Sequence, residues 1–573
     1  MSGFVQELYT FAALPRTQRG TPLVLGGDPK GRTFLYTNGN SVIIRDIENP
    51  AIADVYTEHS CQVNVAKYSP SGFYIASGDA SGKVRIWDTV NKEHILKNEF
   101  QPIGGPIKDI AWSADSQRMV VVGEGRERFG HVFMSETGTS VGEISGQSKP
   151  INSVDFRPSR PFRIVTASED NTIAVFEGPP FKFKCTKQEH IRFAQAVRYS
   201  PDGSLFASAG FDGKIYLYDG ATSELKGEIG SPAHKGGVYG ISWSSDGKQL
   251  LSCSGDKTCA IWDIETRERK ILFNMGNAVE NQQVSCLWQG NHLLSVSLSG
   301  VINYLDVDNP DQPRQVLMGH NKPITCLAQV GATVYTASHD GTITQWNTDT
   351  GQGHGNQVNG MRVCGNGDLL TIGIDDTLRH AATATEEKQN TFVTINNVNC
   401  KRRVFLRRVV FGNINSLKGK LYTSFYPSGA DNKVHLYTLD IRTLTASTEL
   451  THLGPVTDVK YSPDSKYLVA ADANRKLILY NAEEDYKLAH NKEWGFHTAR
   501  VNCAAWSPDS TRVASGSLDT TIIVWNVHNP GKHTLIKNAH PQSQITGLTW
   551  IDDETIVSVG QDANTRVWTV PKP

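Results

Sequence analysis

The sequence predicts an all-β protein assembled from many copies of one repeated unit, and three observations lead to this prediction. Short strand-like endings with an aromatic residue recur along the chain, such as VRIWD at Trp87, AIWD at Trp262 and IVWN at Trp525. Successive endings from Trp87 to Trp346 lie 46, 43, 42, 44, 42 and 42 residues apart, and those from Tyr437 onward lie 43, 45 and 43 apart. A turn-rich cluster such as GFDGK or SLDTT precedes the ending, and a second turn such as SPDG lies further upstream.

This period is that of the WD repeat, in which about 40–45 residues form one four-stranded blade of a β-propeller. The alternating β-branched and aromatic residues of each ending are typical of a strand. A chain of 573 residues is longer than one hydrophobic core usually organises. We therefore expect two tandem WD40 β-propellers, with seven blades in residues 1–305 and about six recognisable blades in residues 306–573.

The second ring is expected to be incomplete or irregular, because thirteen periods fit the chain where two seven-bladed rings need fourteen. Between Trp346 and Tyr437 the sequence offers one blade ending, near Arg379, and the irregular window is 381–428. This window contains the basic run KRRVFLRR, Lys401–Arg408. Such a run can be a nuclear-import or nucleic-acid patch. A disturbed blade edge is favoured, since the run coincides with the break in the period.

Four repeats carry a polar tetrad in which a hydroxyl residue lies ten positions, and an Asp six positions, before a Trp. The tetrads are His234, Ser252, Asp256 and Trp262; His320, Thr336, Asp340 and Trp346; His497, Ser515, Asp519 and Trp525; and His540, Ser558, Asp562 and Trp568. The indole N–H, hydroxyl, imidazole and carboxylate of such a set can form one buried hydrogen-bond chain. Because the set repeats with the blade period, it indicates blade architecture rather than a hydrolase triad.

Composition and motifs favour a protein that binds rather than catalyses. The net charge of -1 gives no support for nucleic acid or an anionic membrane as a partner. Nine cysteines without a CxxC pair indicate a reducing compartment, and no signal peptide or long apolar stretch is evident. The sequence contains no phosphate-binding loop, GxSxG elbow or HExxH motif, so no enzymatic activity is expected.

Repeat geometry also indicates where a binding surface lies. In a WD blade, the turn between the second and third strands opens on the same face as the connection to the next blade, and we call this the top face. Glu169 immediately precedes Asp170, the expected structural Asp of the fourth repeat, and Glu127 lies six residues before Phe133 in the turn GEGRERFG. The connection EGPPFKFKCTKQEHIRF is expected to place Phe181, Phe183 and Phe193 near the same face. Acids beside aromatic anchors are typical of a protein interface.

Several segments contain distinctive residues that the general repeat pattern does not require. They include LPRTQRGTPLVLG, VGEGRERFGHVF, SVDFRPSRPFRI, AVFEGPPFKFK and FHTARVNCAAWSPDSTRVASGSLDTTIIVWN. Together they closely resemble the actin-interacting protein 1 family, over the whole chain except about 381–428. The resemblance implies two linked propellers in the cytoplasm, at cortical or muscle actin. It implies binding to actin filaments decorated with cofilin (actin-depolymerising factor), their disassembly, and assistance in barbed-end capping. It also implies that no cofactor, nucleotide or metal is needed.

The resemblance also implies actin- and cofilin-facing roles for Glu127, Glu169 and Phe183, and we add Phe193 and Lys182 to the predicted surface. Four of these residues have a simpler interpretation. Glu127 can cap its own turn, Glu169 and Lys182 can be solvated, and Phe183 can pack on the neighbouring blade. The rival function is a general WD40 scaffold or substrate-recruiting adaptor. The protein is expected to be a monomer.

Overall fold

The computed structural model describes residues 6–50, 52–91, 93–330, 333–339, 343–346, 358–363, 369–373, 378–381, 393–395, 408–411, 418–424, 433–440, 443–490 and 494–571. Within these ranges the structure is almost entirely antiparallel β-sheet, with one 3₁₀ turn at Val279–Asn281. The chain divides into two compact units, Leu14–Asn321 and Met1–Ala13 with Lys322–Pro573. The ring boundary expected at residues 305 and 306 stays a prediction.

The first strand of the chain is β1 (Gln6–Phe11). The unit Leu14–Asn321 contains seven four-stranded sheets, which we number blades 1 to 7. Their strands are β2 (Gly26–Gly27), β3 (Thr33–Asn38), β4 (Ser41–Asp46) and β5 (Ala53–Tyr56); β6 (Val63–Tyr68), β7 (Tyr74–Asp79), β8 (Val84–Asp88) and β9 (Leu96–Phe100); β10 (Ile107–Trp112), β11 (Arg118–Gly123), β12 (Gly130–Met134) and β13 (Ser140–Ile144); β14 (Ile151–Phe156), β15 (Arg163–Ser168), β16 (Ile173–Glu177) and β17 (Lys182–Lys187); β18 (Ala194–Tyr199), β19 (Leu205–Gly210), β20 (Ile215–Asp219) and β21 (Leu225–Ile229); β22 (Val238–Trp243), β23 (Gln249–Ser254), β24 (Thr258–Asp263) and β25 (Arg269–Asn274); and β26 (Gln283–Gln289), β27 (His292–Ser297), β28 (Ile302–Tyr304) and β29 (Gln315–Leu317).

The other unit contains six sheets in its described residues, which we number blades 8 to 13. Their strands are β30 (Ile324–Val330), β31 (Thr333–Ser338) and β32 (Ile343–Trp346); β33 (Val358–Val363), β34 (Leu369–Gly373), β35 (Leu378–Ala381) and β36 (Val393–Ile395); β37 (Arg408–Phe411), β38 (Lys418–Ser424), β39 (Lys433–Asp440) and β40 (Thr443–Thr451); β41 (Val456–Tyr461), β42 (Tyr467–Asp472), β43 (Leu477–Asn481) and β44 (Lys487–Leu488); β45 (Val501–Trp506), β46 (Arg512–Ser517), β47 (Ile522–Asn526) and β48 (His533–Ile536); and β49 (Ile545–Trp550), β50 (Thr555–Gly560) and β51 (Thr565–Thr569). The N-terminal strand β1 pairs antiparallel with β51 and is therefore the fourth strand of blade 13.

The predicted fold class is confirmed, since every predicted strand ending lies in the third strand of one of these sheets. Both rings close by contacts between their last and first blades. In the first ring, Leu23 N donates to Val284 O at 3.2 Å and the Tyr304 hydroxyl donates to Ile47 O at 3.0 Å. In the second ring, the Thr546 hydroxyl on β49 donates to Ile324 O on β30 at 2.6 Å.

The core lies between neighbouring blades, where the apolar face of one sheet packs against the apolar face of the next. Between blades 3 and 4, Val120 and Val132 pack with Val154 and Phe156, all of them buried. Buried aspartates on the innermost strands add polar links between blades. The Asp109 carboxylate accepts from Val154 N at 3.0 Å, and the Asp458 carboxylate accepts from Ala504 N at 2.9 Å. Apolar burial therefore provides the packing, and these hydrogen bonds fix the register of one blade on the next.

Candidate functional site

The polar tetrads lie inside the blades and bond as one chain. In blade 6, Trp262 Nε1 donates to Ser252 Oγ at 2.8 Å, and Ser252 Oγ lies 2.7 Å from His234 Nε2. His234 Nδ1 lies 3.1 Å from the Asp256 carboxylate. Because the indole N–H donates to Oγ, the hydroxyl donates to Nε2 and the other ring nitrogen donates to the carboxylate. Both imidazole nitrogens are used inside the sheet, which leaves neither for chemistry on a substrate.

Two of the other predicted tetrads have the same geometry. The three links measure 2.8, 2.8 and 3.0 Å in the set ending at Trp525, and 2.9, 2.8 and 2.9 Å in the set ending at Trp568. In the remaining set, His320 and Thr336 are buried, whereas Asp340 and the Trp346 side chain lie outside the described residues.

Sequence reasoning missed a complete tetrad in blade 2. Trp87 Nε1 donates to Ser77 Oγ at 3.0 Å, Ser77 Oγ lies 2.6 Å from His59 Nε2, and His59 Nδ1 lies 3.0 Å from the Asp79 carboxylate. Asp79 lies eight residues before Trp87, where the predicted spacing requires six and the sequence has Ser81. The signal available was His59, which lies 18 residues before Ser77, the same separation as His234 from Ser252.

Blade 5 carries a variant in which Tyr218 replaces the Trp. His190 Nδ1 lies 3.0 Å from the Asp212 carboxylate, and His190 Nε2 lies 2.8 Å from Ser208 Oγ. The Tyr218 hydroxyl donates to the Glu189 carboxylate at 3.1 Å. The His–Ser–Asp part of the chain therefore survives the loss of the indole.

Hydrogen bonding inside the tetrads keeps their carboxylates ionised. Burial has the largest single effect on Asp256 and would raise its pKa, but the bond and charge of His234 together with the bonds from Thr258 and Lys235 N outweigh burial and hold that pKa well below its usual value. Burial would also raise the pKa of Asp79, but the bonds from His59, Ser81 and Lys83 N together lower it to about 2. Each tetrad is thus a charge-assisted link between strands of one blade.

The turn that carries Glu127 is longer than the corresponding turns of the other blades of this ring. In blade 4, Ile164 pairs with Phe176, twelve residues later, whereas in blade 3 Met119 pairs with Phe133, fourteen residues later. Two additional residues therefore lengthen the turn of blade 3, and the position of Glu127 six residues before Phe133 stays a prediction of its role. Glu127 is exposed within this longer turn between β11 and β12.

Glu169 lies in the turn between β15 and β16 and is not a free carboxylate. Lys108 Nζ lies 2.8 Å from Glu169 Oε1, 2.8 Å from Glu124 Oε1 and 3.0 Å from Asn152 Oδ1. The Glu169 side chain remains 27% exposed. One ammonium therefore joins the top-face turns of blades 3 and 4, an arrangement that sequence reasoning missed.

Phe193 lies on the top face, in the connection that leads from β17 into β18. Its ring is 40% exposed, and Lys149 Nζ lies 5.6 Å from the ring centroid. Phe193 O accepts from Phe211 N at 2.9 Å, which fixes the backbone of this connection. Phe193 and Glu169 therefore lie on one face, with Lys149 as a cation–π partner of Phe193.

Phe183 and Lys182 lie on the side of blade 4, in its outermost strand. Phe183 pairs with Phe176 and Lys182 with Glu177, toward the end of β16 away from the Glu169 turn. The Phe183 ring is 44% exposed and lies against Gly146 in the connection before β14. Lys182 is exposed. The expectation that Phe181 and Phe183 lie near the top face is wrong, because β17 begins at the opposite end of the blade. Phe181 is buried there, with its ring centroid 5.4 Å from that of Phe156.

The basic run Lys401–Arg408 lies outside the described residues, apart from the backbone of Arg408 at the start of β37. In the ranges that the structure describes, no three side chains of metal-ligating type gather into a group. No helix of the described chain has the length and apolar character needed to cross a bilayer.

The closed rings of four-stranded blades and the bonded tetrads define the class: a WD40-repeat β-propeller protein. The WD domain, G-beta repeat family matches residues 52–88, 138–177, 182–219, 227–263, 311–347, 443–481 and 490–526. The chain is 64% identical to Actin-interacting protein 1 of Drosophila melanogaster, covering 98% of this chain and 97% of that protein. It is 48% identical to WD repeat-containing protein 1-B of Xenopus laevis and 46% identical to WD repeat-containing protein 1 of Xenopus tropicalis, each over 98% of both chains.

The chain belongs to the family of actin-interacting protein 1, or WD repeat-containing protein 1, and the predicted resemblance is confirmed. The aligned spans of 593 and 598 positions exceed the 573 residues of this chain, so these relatives carry residues that have no counterpart here. The matched repeats ending at 347 and resuming at 443 flank the interval that contains the predicted irregular window.

Proposed function

We propose that this protein binds actin filaments decorated with cofilin, promotes their disassembly and assists barbed-end capping, and that it acts by binding rather than by catalysis. The observation that carries the proposal is the identity of 64% over nearly the whole chain with a protein named for its interaction with actin. The same proposal places the protein in the cytoplasm, at the actin cytoskeleton, as a monomer without a cofactor.

The surface that we propose for actin and cofilin extends over blades 3 to 5 of the first ring. It contains the exposed Glu127, the partly exposed Glu169 and two aromatic rings, Phe183 and Phe193, that are 44% and 40% exposed. Exposed aromatic rings beside acids fit an interface in which apolar anchors bury area and charges select the partner. Lys182 lies beside Phe183 and supplies a cation for acidic partner groups.

The test is a triple variant with Glu127→Gln, Glu169→Gln and Phe183→Ala, assayed by sedimentation of cofilin-bound filaments. The amides keep hydrogen-bonding capacity and size while removing the charges. We expect the concentration for half-maximal disassembly to rise at least about tenfold, the scale expected when interface anchors are truncated.

The matched control removes two acids and one apolar side chain elsewhere in the first ring. Glu265, Glu268 and Phe73 are exposed, the two acids in the turn after β24 and the Phe in the turn before β7. A variant with Glu265→Gln, Glu268→Gln and Phe73→Ala should disassemble filaments like the unmodified protein. A folded primary triple variant with undiminished disassembly would reject the site. A chain that does not sediment with cofilin-decorated filaments would favour the scaffold or adaptor function instead.

A further inference from the structure

Lys108 departs from an arrangement that three other blades share at the same position. The innermost strands β6, β14 and β45 each have a bulge after the first residue, and the Asn at that bulge donates to the first strand of the next blade. Asn64 Nδ2 donates to Ile107 O at 3.0 Å, Asn152 Nδ2 to Ala194 O at 3.1 Å, and Asn502 Nδ2 to Ile545 O at 2.9 Å. Lys108 occupies the same position of blade 3 and reaches carboxylates instead.

The ammonium of Lys108 is saturated by partners from two blades. It contacts Glu124 and Glu169 at 2.8 Å each and Asn152 at 3.0 Å, and an ammonium has three N–H donors. The side chain is 16% exposed, so solvent screens these contacts only in part. We call Lys108, Glu124, Glu169 and Asn152 the Lys108 cluster.

The Lys108 cluster connects each part of the proposed surface that lies on the top face. Glu124 begins the turn that carries Glu127, and Glu124 N donates to Pro106 O at 2.9 Å. Glu169 is itself a proposed contact residue. Through Asn152 the cluster reaches Ala194 O, and Ala194 directly follows Phe193 in the chain. Blades 3, 4 and 5 are therefore joined beneath the residues proposed to meet the partner.

We propose that Lys108 is a positioning residue for the actin–cofilin surface, which holds the turns of Glu127 and Glu169 at a fixed separation. This inference rests on the proposed function. Without the ammonium, Glu124 and Glu169 repel each other, and the two turns move independently. A partner that engages both acids at once then has to order them on binding, which weakens association.

The primary experiment compares Lys108→Met with Lys108→Arg in the full chain, by cosedimentation with cofilin-bound filaments. Met keeps most of the apolar stem without the charge, and Arg keeps the charge. We expect Lys108→Met to raise the half-saturating concentration about fivefold, the size of coupling between neighbouring charged residues, and Lys108→Arg to restore most of the affinity. Lys270→Met is the matched control, because it removes a cation that bonds Asp263 at 2.7 Å in blade 6.

A second readout separates positioning from simple support of the fold. In the unmodified background, the effects of Glu127→Gln and Glu169→Gln on binding should be non-additive, because a fixed geometry couples the two acids. In the Lys108→Met background the same two effects should become additive. Glu124→Gln weakens the cluster and keeps Lys108, so it should also reduce the coupling between the two acids. This variant replaces Lys108→Met in the experiment if Lys108→Met does not fold.

The outcomes distinguish this inference from the proposed function. Binding and coupling that are unchanged in folded Lys108→Met or Glu124→Gln overturn the positioning role, even where the triple variant of the contact residues loses activity. Equal loss in Lys108→Met and Lys270→Met also overturns it, because the effect would then be general destabilisation. Full activity of the triple contact variant would instead reject the proposed surface.

Discussion

Replacing Asp79 by Asn should weaken blade 2 locally, because the tetrad of this blade depends on an ionised carboxylate. Asp79 is buried, with its side chain fully covered. One carboxylate oxygen bonds His59 Nδ1 at 3.0 Å, and the other accepts from Ser81 N at 2.9 Å and Lys83 N at 3.2 Å. An Asn side chain can keep bonds on one side only, since its NH₂ group would face the N–H of His59 or those of the turn.

The magnitude follows from the pKa of Asp79, which lies at about 2 against an ordinary value of 3.8. The folded state therefore prefers the ionised form by about 2 kcal/mol, and Asn is the closest neutral analogue of the protonated form. Because the pKa is lowered on folding, this stabilisation is complete above pH 4. It is lost as the pH falls from about 4 through 2.

Hydrogen exchange with mass spectrometry, on the amides of β7 and β8 in the full chain, measures this effect. A loss of about 2 kcal/mol corresponds to exchange about 30-fold faster where exchange reports the opening equilibrium. Glu58→Gln is the matched control, because it removes the exposed carboxylate next to His59. Exchange in Asp79→Asn that stays within about twofold of this control would refute the assignment of Asp79 to the tetrad.

Two further changes test the turn of blade 3 and a buried imidazole of the second ring. Gly125→Ala should distort the turn that carries Glu127, because an added Cβ would clash with Arg128 O. We expect this variant to keep its secondary structure and to bind cofilin-bound filaments more weakly. Unchanged binding would contradict the role of this turn. Burial lowers the pKa of His452 to about 4, so its contribution to stability is present above the ordinary pKa of 6.5 and is lost as the pH falls from 6.5 through 4. The guanidinium concentration at the midpoint of unfolding should therefore fall less steeply between pH 6.5 and 4 in His452→Gln than in the unmodified protein. An equally steep fall in this variant would contradict the prediction.

The blades were predictable from the sequence because each repeats the same local chemistry. An aromatic residue lies near the end of most third strands, and Trp87, Phe133 and Phe176 are buried between sheets. The spacing from hydroxyl residue to Trp is fixed by the pairing of the second and third strands, so the tetrads ending at Trp262 and Trp525 follow from counting alone. Regular spacing is thus the part of the fold that a single sequence carries most directly.

The parts that counting missed are those in which pairing or contacts depart from the repeat. Asp79 lies two residues earlier than the spacing requires and still bonds His59, because at the end of β7 one carboxylate oxygen reaches the ring while the other accepts from Ser81 N. Phe181 was assigned to the wrong end of blade 4, since its position depends on where β17 begins. The partners of Lys108 lie on three different segments, up to 61 residues from Lys108, and no local pattern indicates such a contact.

The proposed surface lies on blades 3 to 5, and none of these three blades has the complete tetrad. In blade 3 the position that pairs like Thr166 of blade 4 is Val121, which has no hydroxyl to begin a tetrad. In blade 4 Gln147 replaces the His and bonds Thr166 at 2.6 Å, while Asp170 accepts from Ser148 N at 2.8 Å. A tetrad links the strands of one blade, whereas the ammonium of Lys108 links the top-face turns of blades 3 and 4. Lys108 supplies that link between the two turns, which is why its charge, rather than its bulk, should decide binding.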